Sequence, residues 1–255
     1  MQLSFGSGAL WGERVDVTGS GIGPHQFGVL QDIQIDFDWT DKELYGMMQF
    51  PVAIARGQGK ISGKAKLAQI LGLLYTDIFF GLAAAAGQFA VTQLEAGSVP
   101  AVSTYTITVA NSANYVDDLG VVYAATGKPL NRVTTPASAG QYSVNFTTGV
   151  YTFAAADASA AVLLSYTYNI TAAGNKVTIA NQLTGTTPVF KATFYTRSPY
   201  SLGGSAGEGY ALRLNACTAN KLSFPTKIDD WTIQELDFMA FADASNTIGY
   251  LSTVE

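Results

Sequence analysis

Three groups of residues in this 255-residue chain have types and spacings that can carry chemistry. The first is GQGKISGKAK, Gly57 to Lys66, which has the glycines and lysines of a phosphate-binding loop. Such a loop needs G-x-x-x-x-G-K-[ST], so that backbone N–H groups cradle the phosphates and the hydroxyl holds Mg²⁺. Gly57 stands one residue too far from Gly63 and Gly59 one too near, and Ala65 occupies the hydroxyl position. A second glycine cluster, GSGIG at 19–23, lacks the strand-then-helix setting of a dinucleotide loop. The second group is His25 and Cys217, the only histidine and the only cysteine. One imidazole and one thiol do not make a metal site, and no G-x-S-x-G elbow supplies a nucleophile for His25 to activate. His25 reads as a turn histidine and Cys217 as a small buried hydrophobe.

The third group is carboxylates on strands. In QDIQIDFDWTD (31–41), Ile33, Ile35, Phe37 and Trp39 share one face, while Asp32, Gln34, Asp36 and Asp38 share the other. In KIDDWTIQELDFMAFAD (227–243), Trp231 and Ile233 alternate, the phase slips at Glu235, and Leu236, Phe238 and Ala240 continue. The slip predicts a bulge. Asp36 and Asp38, joined by Asp229 or Asp230 if the strands pair, are candidates for a metal site or a glycosidase-like acid–base pair. A solvated strand face explains them more simply. A third reading is an acidic face lining a channel, where negative charge keeps a polyanion from sticking.

The elements that position these residues are mostly strands. One helix is predicted from Lys64, with Leu67, Ile70, Leu71, Leu74 and Ile78 as its core face, Ser62 as cap and Gly81 as stop. From about 95 to 170 short strands alternate with turns at Thr126–Gly127 and Thr148–Gly149, between small-residue flanks AAAAGQ and TAAGNK. This predicts a discontinuous β domain, 1–90 and 171–255, with an inserted all-β module at 91–170. The stretch DKELYGMMQFPVAIAR (41–56), with Tyr45, Met47, Met48, Phe50 and Pro51, has no clear period. It is either a core-covering loop or an exposed contact.

Composition narrows the function classes. Apolar residues make up 48% and charged residues 13%, a low charge density that points to surface lost to partner subunits. Net charge −5 argues against tight nucleic-acid binding. A single cysteine excludes an internal disulfide and fits a reducing cytosol. The N-terminus lacks the pattern of a signal peptide. The most apolar run, Leu67 to Ala86, is interrupted by Gln69, Asp77 and two glycines and does not read as a membrane span. No enzyme, cofactor or metal is expected.

Together GKISGKAKLAQILGLLYTDIFFG, VFKATFYT and YALRLNACTANKLSFPTKIDDWTIQELDFMAFAD resemble the major tail tube proteins of tailed bacteriophages. DDLGVVYAATGKPLNRV, AGQYSVN and GVYTFAAAD resemble an immunoglobulin-like β module found in phage structural proteins. The resemblance implies a tail-tube-type β-sandwich with one flanking helix, assembled as homohexameric rings that stack into a tube. It implies an acidic lumen through which viral DNA passes without specific binding, with Asp32, Asp36, Asp38, Asp229 and Asp230 as candidates to line it. Tyr45, Met47, Met48, Phe50 and Pro51 would form the inter-ring loop. Implied partners are other copies of the chain and the tail tip or baseplate, tape-measure and tail-terminator proteins, with no membrane. The implied location is the virion, after synthesis in the bacterial host cytoplasm. An inserted module leaves little room for a sheath, which favours a non-contractile tail with the module outward. The alternative is a carbohydrate-binding, adhesin-like β protein using Tyr142, Tyr151, Tyr166 and Tyr168 as stacking platforms. Cross-strand packing is the simpler reading of those tyrosines.

Overall fold

A computed structural model describes residues 2–3, 6–17, 23–69, 72–82, 84–196, 200–201 and 209–253. Among the described residues the chain is mainly β, with several largely antiparallel sheets, one α/π-helical segment and two short 3-10 turns, Ser112–Asn114 and Ala155–Asp157. Its strands are β1 (Gln2–Leu3), β2 (Ala9–Arg14), β3 (His25–Gln26), β4 (Leu30–Tyr45), β5 (Pro51–Leu67), β6 (Ala85–Ser98), β7 (Thr106–Thr108), β8 (Tyr115–Tyr123) and β9 (Asn131–Arg132). They continue as β10 (Gln141–Asn145), β11 (Val150–Phe153), β12 (Ala161–Lys176), β13 (Phe190–Thr196), β14 (Tyr200–Ser201), β15 (Tyr210–Ser223), β16 (Gln234–Phe241) and β17 (Gly249–Ser252). The chain divides into two compact units, residues 1–84 with 177–255, and residues 85–176. Among the described residues no helix is long and apolar enough to cross a membrane.

The first unit is built on one sheet in the order β3-β2-β13-β15-β16-β5-β4, with β17 added on β15. β15 is long enough to serve two neighbours in succession. Ala211–Leu214 pairs with β17 and Ala216–Ser223 with β16 on the same edge. The two ends of the sheet then face each other, Ile33 and Ile35 opposite Phe194, Leu212 and Leu251, which gives the unit its β-sandwich character. Strict alternation drives this burial. Phe190, Ala192, Phe194 and Thr196 point inward along β13, and Gln234, Leu236 and Phe238 along β16. They meet Leu10, Phe27, Leu67 and Leu74 in one core. Cys217 is fully buried there, and burial pushes its thiol up to about 12, in keeping with a small inert hydrophobe.

The helical segment corrects the expectation from Lys64 onward. Ser62, Lys64 and Leu67 lie in β5, and the segment is a single α-turn, Gly72–Leu74, running into a π-helical turn, Tyr75–Phe80. Leu74 and Ile78 do face the core, and Gly81 does end the segment, in the left-handed conformation at φ 64°. Ile70 and Leu71 lie outside the described residues. In β5 the inward positions are Ile61, Gly63, Ala65 and Leu67, so two of four carry almost no side chain. Gly63 is small for a reason: a Cβ there would stand 2.1 Å from Cζ of Phe238, its partner across the sheet. Gly63→Ala is therefore expected to cost about 1–3 kcal/mol by overpacking. Thermal unfolding should show the loss, and Phe238→Leu in the same chain should restore part of it.

The bulge predicted at Glu235 is also corrected. β16 pairs without interruption from Gln234 to Ala240 against β5. The apparent slip is the start of the strand. Asp229, at φ 58°, and Asp230 lie in the preceding turn, and Trp231 is exposed.

The second unit has two sheets, β6-β12-β8 and β7-β11-β10-β9. Its core includes Val121, Tyr142, Tyr151, Phe153, Val162, Leu164 and Tyr166. Its bounds differ from those expected: positions 91 and 170 fall inside β6 and β12. The small-residue flanks are paired strand, with Ala85 opposite Lys176 and Ala86 opposite Asn175. Gly87 and Gly174 take positive φ there, where alanine-like side chains fit poorly.

Candidate functional site

The outer face of β4, β5, β16 and β15 brings together most of the charged residues singled out above. Inward Ile33, Ile35 and Phe37 put Asp32, Gln34, Asp36 and Asp38 outward on β4. By the same parity Lys60, Ser62, Lys64 and Lys66 point outward on β5, and Glu235 and Asp237 on β16. The registers set acids and bases side by side across the strands. Lys66 reaches Asp32 at 3.2 Å, Lys64 reaches Glu235 at 3.0 Å, and Lys221 on β15 stands 3.9 Å from Asp237. The Lys64 ammonium holds the Glu235 carboxyl below its ordinary range, and Glu235 in turn raises Lys64. Gln34 donates to both oxygens of Asp36, at 3.1 and 3.0 Å.

This arrangement corrects the acidic-face expectation. Asp32, Asp36 and Asp38 do share a face, but Asp229 and Asp230 are not on it. Among the described residues, the face over β4, β5, β16 and the Lys221 end of β15 carries five carboxylates (Asp32, Asp36, Asp38, Glu235, Asp237) against four lysines (Lys60, Lys64, Lys66, Lys221), close to neutral. Lys64 and Lys66 lie on a strand rather than at the start of a helix, and their partners are carboxylates of the same chain. Alternation of Lys60, Lys64 and Lys66 against Ile61, Ala65 and Leu67 is the signal that finds them. β5 lies between β4 and β16, so Asp36 and Asp38 do not meet a carboxylate from the 229–230 turn. Among the described residues no group of three or more His, Cys, Asp or Glu side chains is placed to hold a metal ion.

The second feature is the β4–β5 hairpin. β16 covers β5 only over Ile61–Leu67, so Asp38–Tyr45 and Pro51–Lys60 pair only with each other. The arm leaves the sheet with apolar side chains in water: Trp39, Leu44, Tyr45, Val52 and Ile54 are exposed. At its tip Met47 is 100% exposed, Met48 78% and Phe50 79%. The 41–56 stretch thus covers no core; it is a ribbon and turn in solvent. Only local contacts support it, with Arg56 4.7 Å over the Trp39 ring and Tyr45 donating to Glu43. A bare two-stranded ribbon is marginal in water, and so large an apolar display is uncommon on a lone soluble domain. β4 is also the end strand of its sheet and leaves a long unpaired edge. Below that edge Ile33, Ile35, Phe37, Tyr210 and Leu251 line an apolar groove.

His25 is not a free turn residue: its Nε2 stands 3.1 Å from Asp77 Oδ2, which ties β3 to the π-helical turn. The tyrosines of the second unit are not exposed platforms. Tyr142, Tyr151 and Tyr166 are buried, and each donates its hydroxyl to a carboxylate. Tyr142 and Tyr151 converge on Asp118, at 2.7 and 3.0 Å. Tyr115, 3.0 Å from Tyr151, donates to it in turn, because the Tyr151 proton goes to Asp118. Gly120 N–H and Arg132 Nη1 complete the Asp118 shell at 2.9 and 3.2 Å. Burial pushes the Tyr115 hydroxyl up to about 12 and raises Tyr142 and Tyr151, so all three remain donors at neutral pH. Tyr166 donates to Glu95 at 2.5 Å, and Tyr123 to buried Asp157 at 2.5 Å. No protein-family model matches this chain, and no curated protein matches it.

Proposed function

We propose that this chain is a structural subunit that assembles with copies of itself into stacked rings, the tail tube of a tailed phage. The β4–β5 arm carries the reading: an apolar ribbon and tip that no described residue of its own unit covers. A second copy is the fitting cover. The open β4 edge and the apolar groove beneath it offer an acceptor for such a ribbon on every copy. The near-neutral, ion-paired face suits a wall along which DNA slides, since lysines already engaged by carboxylates have little charge left for phosphates. In this reading six copies close a ring, the tube meets tail-tip, tape-measure and terminator proteins at its ends, and the inserted unit favours a tail without a sheath.

Electron microscopy of the concentrated protein tests the proposal. Rings or stacked tubes with a central hole are expected. Monomers that persist across salt and pH would overturn it.

A further inference from the structure

We propose that the second unit carries a binding site for an acidic saccharide, centred on Arg132 and Phe146. The site is a groove at the rim of the four-stranded sheet, lined by Arg132, Val133, Thr134, Ser143, Val144 and Phe146. β9 is the last strand there and pairs parallel to β10 through Asn131–Gln141 and Arg132–Tyr142, which puts Arg132 on an open edge.

Three observations separate this arginine from an ordinary surface cation. Its guanidinium is held by Asp118, whose side chain is only 2% exposed and is itself fixed by Tyr142, Tyr151 and the Gly120 N–H. A pre-positioned arginine gives up little freedom when it engages a ligand. Second, the Arg132 side chain is still 49% exposed. Asp118 takes one of its five N–H donors, and Asp118 spreads its own charge over three further donors. Third, the guanidinium lies 5.4 Å from the ring centroid of Phe146, an exposed aromatic, with Thr134 and Ser143 in the same groove. A fixed cation, an aromatic face and two hydroxyls complement a sugar ring bearing a carboxylate or phosphate. The guanidinium lies over one face of the Phe146 ring, so a sugar ring packs its C–H face on the other, its hydroxyls bond to Thr134 and Ser143, and an acid group on it or on the next sugar reaches past the ring edge to the guanidinium.

Charge argues against nucleic acid as the ligand. The unit holds three cations, Lys128, Arg132 and Lys176, against Glu95, Asp117, Asp118 and Asp157. That is no basic stripe. The site belongs to the second unit alone and stands whether or not the chain forms rings.

Calorimetric titration of the full chain tests it with four probes: oligogalacturonate, a phosphorylated mannan oligomer, a neutral galactan oligomer and poly-glutamate. Binding of one or both acidic saccharides is expected, and which one binds identifies the acid group. Neutral galactan and poly-glutamate should bind at least about tenfold more weakly. Arg132→Gln, which leaves Asp118 its other three donors, should weaken binding about tenfold to a hundredfold. Phe146→Ala, at an exposed position, should weaken it about tenfold. The proposal fails if neither acidic saccharide binds, if galactan or poly-glutamate binds as tightly, or if either variant keeps wild-type affinity.

Discussion

Replacing Met47, Met48 and Phe50 together by aspartate should leave the protein folded and unassembled. The three side chains stand at the exposed tip of the β4–β5 arm and touch no core, so the subunit loses no buried apolar area. In an assembly each would bury most of its surface, worth roughly 1.5–3 kcal/mol per residue. Losing three such contacts raises the concentration needed for assembly by about a thousandfold or more. Carboxylates placed in an apolar contact add to the loss. Sedimentation velocity should show the variant as a monomer at concentrations where the rings proposed for the wild type form. Thermal unfolding should place its transition beside that of unassembled wild type. A variant that forms rings at the wild-type concentration would remove the arm from the assembly mechanism.

The second large effect lies at Asp118. Asp118→Ala strips the acceptor from two buried tyrosine hydroxyls, a backbone N–H and an arginine at once. Each buried donor left without an acceptor costs about 1–3 kcal/mol, so the two hydroxyls and the N–H together make the loss about 3–5 kcal/mol. For a unit of this size that lowers the melting temperature by roughly 15–30 °C. Asp118→Asn should fall between, since one amide edge still accepts while the other now opposes hydroxyl donors. Calorimetry should show the loss in the transition of the second unit, with that of the first unit unchanged. A shift worth under about 1 kcal/mol would mean that the hydroxyls find other acceptors.

These expectations also show what the sequence makes legible. The alternation of Ile33, Ile35, Phe37 and Trp39 reads directly as a strand, because large apolar and polar residues take strict turns. The same rule fails one strand later. β5 alternates as strictly, but Gly63 and Ala65 occupy inward positions where Phe238 fills the space, so the eye meets lysines and glycines instead. A helix-like spacing of leucines and isoleucines further on then takes over the reading. Trp39 illustrates a different limit. Its parity is right, yet the body of the sheet ends before it, and a core-facing pattern continues into water. Pattern reports which way a side chain points, not what stands there to meet it. The tyrosines of the second unit fail for reasons of distance: Tyr166 finds Glu95 across 71 positions, beyond the reach of any local rule. The lysine–carboxylate pairs lie between, since parity places Lys64 and Lys66 outward but only the register of β4, β5 and β16 supplies their partners.

The pairing of Ala85 with Lys176 has a consequence for how the chain is made. β2 and β5 emerge from the ribosome early, yet their neighbours β13 and β16 come only after the whole second unit has been translated. Until then β2 has only the two-residue β3 beside it, and one edge of β5 stands bare. The second unit is continuous in sequence and able to fold as it emerges. Once its first and last strands zip together, a long tether becomes a short clasp that delivers β13 close to where the chain left off. Closing a short loop costs less entropy than closing a long one, so folding of the insert offsets part of the delay that its length imposes on the half-built sheet.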